Sequence, residues 1–141
     1  MSFREKKAWV TALALIVVFM PFYWMMVNAY HRPEPDYGYL VHLALVALTS
    51  FLVLEVLLVL AARFLSPEDA GIPQDERDRL FAFRASRVSY VALIVLVVAV
   101  TFPMIHMEGR NWGWGMAYLG VIIIAEILRA TMLIVQYRRG Y

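Results

Sequence analysis

The chain contains no cysteine, and Asp, Glu, Lys and Arg together make up only 17% of its 141 residues. Without thiols it can form no disulfide, no thiolate metal site and no cysteine nucleophile. It also lacks a glycine-rich phosphate loop and an HExxH zinc motif, and its few loops leave no room for a soluble catalytic domain. We therefore expect a protein that is not an enzyme and that carries no cofactor.

Apolar residues dominate instead. They make up 62% of the chain, whereas roughly 45–50% is usual in soluble proteins. Four long apolar runs each reach the roughly 20 residues that cross about 30 Å of hydrocarbon as an α-helix. These runs predict spans at about residues 9–30, 37–62, 88–107 and 112–137. The expected fold is all-α, a four-transmembrane-helix bundle that forms a single integral membrane domain over residues 1–141.

The two halves of the chain resemble each other weakly. The first and third runs contain Pro21 and Pro103, and the second and fourth contain Glu55 and Glu126. Matching positions in consecutive helix pairs are typical of internal repeats in membrane proteins. The bundle is therefore predicted to consist of two tandem helical hairpins.

The basic residues indicate an orientation. Ten of the thirteen Lys and Arg residues precede the first span, lie between the second and third, or follow the fourth. Because cytoplasmic segments are enriched in Lys and Arg, both termini are predicted to be cytoplasmic. Residues 63–87 then form a cytoplasmic linker, and the expected location is the bacterial cytoplasmic (inner) membrane.

The end of this linker is the most highly charged part of the chain. After Pro73 the sequence favours a short helix that leads into the third span, because acidic residues in its first turn suit the helix dipole. Leu80 and Phe81 are expected on the same side as its basic residues. Two interpretations stay open: the segment contacts lipid headgroups, or it docks a cytoplasmic protein. The candidate residues are Asp75, Glu76, Arg77, Arg84 and Arg87.

Three charged residues lie inside the apolar runs: Glu55, Glu126 and Arg129. A charge in hydrocarbon costs about 2.5–3.5 kcal/mol even on a lenient scale, so such groups usually find partners. Counted from Arg63 and Arg138, Glu55 and Arg129 have similar depths, and Glu126 precedes Arg129 by one turn. We predict a cluster of the three. It could fix helix pairing, form a proton or cation site, or contact a second copy in a homo-oligomer.

Histidines collect on the opposite side of the predicted membrane. His42, His106 and Glu108, with Met104 and Met107 beside His106, could supply ligands to a transition metal, and the two histidines could hold a haem. Their spacing is not diagnostic of either site. Interfacial histidines and core methionines explain the same residues, so no metal is predicted.

Short charged motifs carry a family resemblance. The opening MSFREKKAW, the stretch PQDERDRLFAFRASRVSY and the tail VQYRRG resemble a group of small bacterial four-helix membrane proteins. The DER motif at Asp75–Arg77 is similar to that of the DUF2178 family of prokaryotic membrane proteins. The resemblance implies a membrane fold and a cytoplasmic protein partner, and brings no catalytic residue.

The sequence thus predicts a non-enzymatic integral membrane protein that works as an interaction, anchoring or regulatory module through its charged cytoplasmic helix. The alternative is a small proton- or cation-linked transporter or channel, as a homo-oligomer or alone. Expected partners are the lipid bilayer and a cytoplasmic or membrane protein. The cations are dispersed between helices, so no nucleic-acid binding is expected.

Overall fold

Four long α-helices form the structure, a computed structural model that describes residues 3–31, 36–64, 75–106 and 112–139. All four helices are long and apolar enough to cross a membrane, as a multi-pass membrane protein requires. The predicted all-α fold with four such helices is confirmed. The helices are α1 (Phe3–Tyr30), α2 (Tyr37–Phe64), α3 (Glu76–His106) and α4 (Trp112–Arg139).

The described helices fall into two compact units. In the first, within Met1–Gly71, α1 packs against α2; in the second, within Ile72–Tyr141, α3 packs against α4. In each unit the start of one helix contacts the end of the other, so the two helices are antiparallel. Each unit is a helical hairpin, which confirms the tandem arrangement. We refer to them as hairpin one and hairpin two.

Hairpin one is built on a heptad-like stripe of α1. The buried residues follow one another at alternating steps of four and three, which places them on one side of the helix. Phe19 packs against Phe51 of α2 with ring centroids 5.7 Å apart, and Leu40 of α2 is fully buried. The stripe consists of Ala8, Ala12, Leu15, Phe19 and Phe22.

In hairpin two, small residues follow a buried phenylalanine on the packed side of α3. Phe81, Ala85 and Ser89 recur every four residues on the buried side of α3. Small side chains at the last two positions let the helix backbones approach closely, as is common between membrane helices. The approach brings the Ser89 hydroxyl to the carbonyl oxygen of Ala125 on α4, at 2.8 Å.

Aspartates begin two of the helices. The Asp36 carboxylate accepts a hydrogen bond from the backbone N–H of Tyr39, which caps α2 at 3.1 Å. At the start of α3, Asp75 accepts from the N–H of Glu76 at 2.7 Å, and the Asp78 carboxylate accepts from the N–H of Asp75 at 3.4 Å. These caps explain why α3 begins directly after Asp75.

Helix α3 continues from Glu76 to His106 without a break. The expected short helix is therefore the first part of the same helix that contains the third span. At 31 residues, α3 is about 46 Å long, well beyond the roughly 30 Å of hydrocarbon. Residues 65–74 of the predicted linker lie outside the described residues, whereas Arg63 belongs to α2 and 76–87 to α3.

Candidate functional site

The relative register of α3 and α4 is fixed by two hydrogen bonds. The Tyr137 hydroxyl donates to the Asp78 carboxylate at 2.8 Å, and the Ser89 hydroxyl donates to the Ala125 carbonyl at 2.8 Å. In two antiparallel helices, the residue numbers of two positions at the same height add up to nearly the same value along the whole pair. Arg129 is therefore level with about Ala85, and Glu126 with about Val88.

Glu126 and Arg129 are brought together on successive turns of α4. Both Nε and Nη2 of Arg129 lie 2.8 Å from Oε2 of Glu126. The side chains stay 38% exposed for Arg129 and 42% for Glu126. By the register of hairpin two, the pair lies level with Arg84 to Val88, where the charge-free stretch of α3 begins.

Glu55 has a partner within hairpin one. The Thr11 hydroxyl of α1 donates to Glu55 Oε1 at 2.9 Å, and Thr11 is buried. This bond places Glu55 level with Thr11, one helical turn, or about 6 Å, beyond Lys7. Thr11 was missed by the sequence analysis, although it follows Ala8 and precedes Leu15 at helical spacing on the buried stripe. The meeting of Glu55 with Arg129 would join the two hairpins, and it stays a prediction.

Both hairpins share one pattern of charge. Between the histidine-containing end and the opposite end, each helix has a stretch without Asp, Glu, Lys or Arg: 8–30, 37–54, 88–106 and 112–125. These stretches measure about 21 to 34 Å. Glu55, Glu126 and Arg129 all lie toward the end that carries the basic residues, which we call the basic end of each hairpin.

An aromatic contact organises the basic end of hairpin two. The rings of Phe81 and Tyr137 meet edge to face at 5.4 Å, and the Arg77 guanidinium lies 5.1 Å from the centre of the Phe81 ring. Such contacts stabilise by about 0.5–1 kcal/mol each. The expected grouping of Leu80 and Phe81 with the basic residues is borne out only in part: Phe81 contacts Arg77 but is buried against α4, 1% exposed, whereas Leu80 is 45% exposed.

The other candidate residues of this segment are at the surface. Asp75 and Glu76 are exposed where α3 begins, and Arg84 and Arg87 are exposed along it. Sequence reasoning did not find Tyr137, whose hydroxyl and ring hold the start of α3. A tyrosine followed by two arginines is typical of an anchor at the membrane interface. Nothing in the sequence predicts that its hydroxyl contacts Asp78.

The histidine cluster is described only in part. His42 is exposed on α2, and His106 ends α3. Glu108 and the side chain of His106 lie outside the described residues. Within the part of the chain that is described, no group of three or more His, Asp or Glu residues could hold a metal ion. A metal site at His42, His106 and Glu108 stays a hypothesis.

Comparison of the chain with protein-family models, curated proteins and solved structures found no match. The resemblance to the DUF2178 family therefore stays a prediction.

Proposed function

We propose that the chain is a non-enzymatic protein of the bacterial inner membrane that acts by interaction, with the first turn of α3 as the docking element for a cytoplasmic protein. The observation that carries the proposal is the unbroken course of α3 beyond the apolar stretch. Residues 75–79 form its charged tip, with both signs of charge exposed side by side.

Distance along the helix separates this tip from the bilayer. The charge-free stretch of α3 begins at Val88, and Arg77 lies eleven residues before it, or about 16 Å. Each headgroup layer is only about 5–8 Å thick. In the proposed orientation, Asp75, Glu76 and Arg77 therefore stand in water, where a soluble partner can reach them.

The tip is also held in place. The hydrogen bond from Tyr137 to Asp78, inside the tip, and the packing of Phe81 on Tyr137, two residues beyond it, hold α3 against α4. A preorganised element loses less conformational entropy on binding than a loose one. The mixed charges favour a polar protein surface over nucleic acid, which would require an excess of positive charge.

Photo-crosslinking in native membranes tests the proposal. A photoreactive residue in place of exposed Arg79 should give a discrete protein adduct. Charge reversal at the tip, with Glu76→Lys and Arg77→Glu together, should abolish that adduct while the protein level stays unchanged. The matched control is the same probe at Val98, which is 61% exposed within the apolar stretch and should label lipid. Lipid adducts alone at position 79, or a protein adduct indifferent to charge reversal, would contradict docking.

The alternative, a proton- or cation-linked transporter or channel, has less support. Transport sites usually lie near the bilayer midplane, whereas Glu55, Glu126 and Arg129 lie toward the basic ends. Ion flux into liposomes that contain the purified protein tests this alternative. A flux that is driven by an ion gradient and is lost in Glu126→Gln would favour the transporter over the docking module.

A further inference from the structure

One face of α3 is apolar and exposed from the hydrocarbon segment down into the basic end. The face includes Leu80, Phe83, Val91, Val98 and Phe102, which are between 45% and 67% exposed. At 100° per residue these positions fall on one side of the helix. They point away from the side that packs on α4 through Phe81, Ala85 and Ser89. Within hairpin two no residue of α4 covers this side, and an apolar side of a membrane helix that other helices leave uncovered faces lipid.

Arg84 and Arg87 interrupt this lipid-facing side. Both are exposed, and both fall among the apolar residues of the same face. Arg87 directly precedes Val88, and Arg84 lies about 4.5 Å further out than Arg87. This range coincides with the headgroup layer. Their aliphatic stems can lie along the apolar face while the guanidinium groups reach the phosphates.

The charge on this face is not balanced by α3 itself. Helix α3 has no acidic residue after Asp78, which lies about 9 Å further out than Arg84. On α4, Arg129 and Glu126 neutralise each other. Two arginines side by side at the headgroup level therefore favour lipids of net negative charge over zwitterionic ones.

We propose that Arg84 and Arg87, flanked by the exposed rings of Phe83 and Tyr90, form a binding site for the phosphate of anionic phospholipids. The rings are 64% and 63% exposed, and tyrosine is one of the residue types that prefer the membrane interface. The site is separate from the docking tip at residues 75–79, so either can fail while the other stands.

Native mass spectrometry of the full-length protein in detergent tests the site, with phosphatidylglycerol and phosphatidylcholine as probes. Wild type should bind phosphatidylglycerol in preference, and Arg84→Gln with Arg87→Gln should lower that affinity roughly tenfold. The matched control, Arg79→Gln with Arg139→Gln, removes the same charge from exposed positions further out and should keep the preference. Arg84→Lys with Arg87→Lys should retain most of it, because headgroup attraction depends mainly on charge.

Three outcomes would overturn the proposal. Wild type could bind both lipids equally, the control pair could lose as much affinity as the test pair, or millimolar inorganic phosphate alone could displace the lipid. The last result would show a site for a soluble anion. Only variants whose circular dichroism spectra and size-exclusion profiles are identical to those of wild type are compared.

Discussion

Hydroxyl groups make the polar connections between helices at the scale of single residues. Thr11 reaches Glu55 in hairpin one. In hairpin two, Ser89 reaches the backbone of Ala125, and Thr101 shares a hydrogen bond with Tyr118 at 2.9 Å. Interhelical hydrogen bonds of this kind stabilise membrane proteins by about 0.6 kcal/mol on average and up to about 1.7. They therefore set register more than total stability.

We expect Ser89→Ala to lower the free energy of unfolding by about 1 kcal/mol, because it leaves the buried carbonyl of Ala125 without this donor. Reversible unfolding in mixed micelles measures the change. Thr131→Ala is the control, since the Thr131 hydroxyl donates only within α4 and is exposed. Equal losses in the two variants would show that the Ser89 bond contributes nothing specific.

Spacing along one helix was enough to predict the approach of Glu126 and Arg129, because a three-residue separation puts both on the same side. Thr11, Ser89 and Tyr137 were not predictable. A hydroxyl in an apolar helix can bond to its own backbone, as Thr101 and Thr131 do. Which hydroxyl reaches across depends on helix register, and that is a tertiary property.

At the scale of elements, the apolar runs predicted every helix, because hydrocarbon requires about 20 residues without charge. The helix ends were harder to predict. Helices α1 and α3 begin well before their apolar stretches, at Phe3 and Glu76. Beyond the hydrocarbon, helix formation depends on caps such as Asp75 and on packing such as Phe81 against Tyr137. This is why α3 could not be distinguished from a separate short helix joined to a span.

The register of hairpin two also predicts the cost of breaking the ion pair of α4. Arg129→Gln should lower the free energy of unfolding by less than about 1 kcal/mol, because its level beside Arg84 to Val88 puts the pair at the proposed membrane boundary, where water screens it. A pair sealed in hydrocarbon would cost about 3–5 kcal/mol when one partner is lost. The free energy of unfolding in mixed micelles is measured for Arg129→Gln and for a control, Arg139→Gln, which changes the exposed end of α4. The size of the loss distinguishes a pair at the boundary from a pair in hydrocarbon. A loss above 3 kcal/mol would put the pair inside the membrane.

At the scale of the whole molecule, the distribution of charge defines two sides. Ten of the thirteen Lys and Arg residues lie at or beyond the basic ends of the hairpins, whereas only Arg32 and Arg110 lie in the segments next to the histidine-containing ends. The positive-inside rule turns this asymmetry into a topology, with the basic ends in the cytoplasm. The orientation itself stays a prediction.

The absence of cysteine makes the topology directly testable. Arg79→Cys should react with a membrane-impermeant maleimide only after cells are permeabilised, and His31→Cys should react in intact cells. Val98→Cys, in the apolar stretch, should react in neither state because thiolate does not form in hydrocarbon. Labelling of position 79 in intact cells would show that the topology is the opposite of the one proposed.

Each hairpin completes its own interior: the buried stripe of α1 is covered by α2, and the hydroxyl of Ser89 is satisfied by α4. During synthesis the first pair can leave the translocon as soon as its second helix has emerged from the ribosome. It can then wait in the bilayer without an unpaired Glu55, since Thr11 has already been made. Biogenesis can thus proceed in two successive insertion events, one for each hairpin.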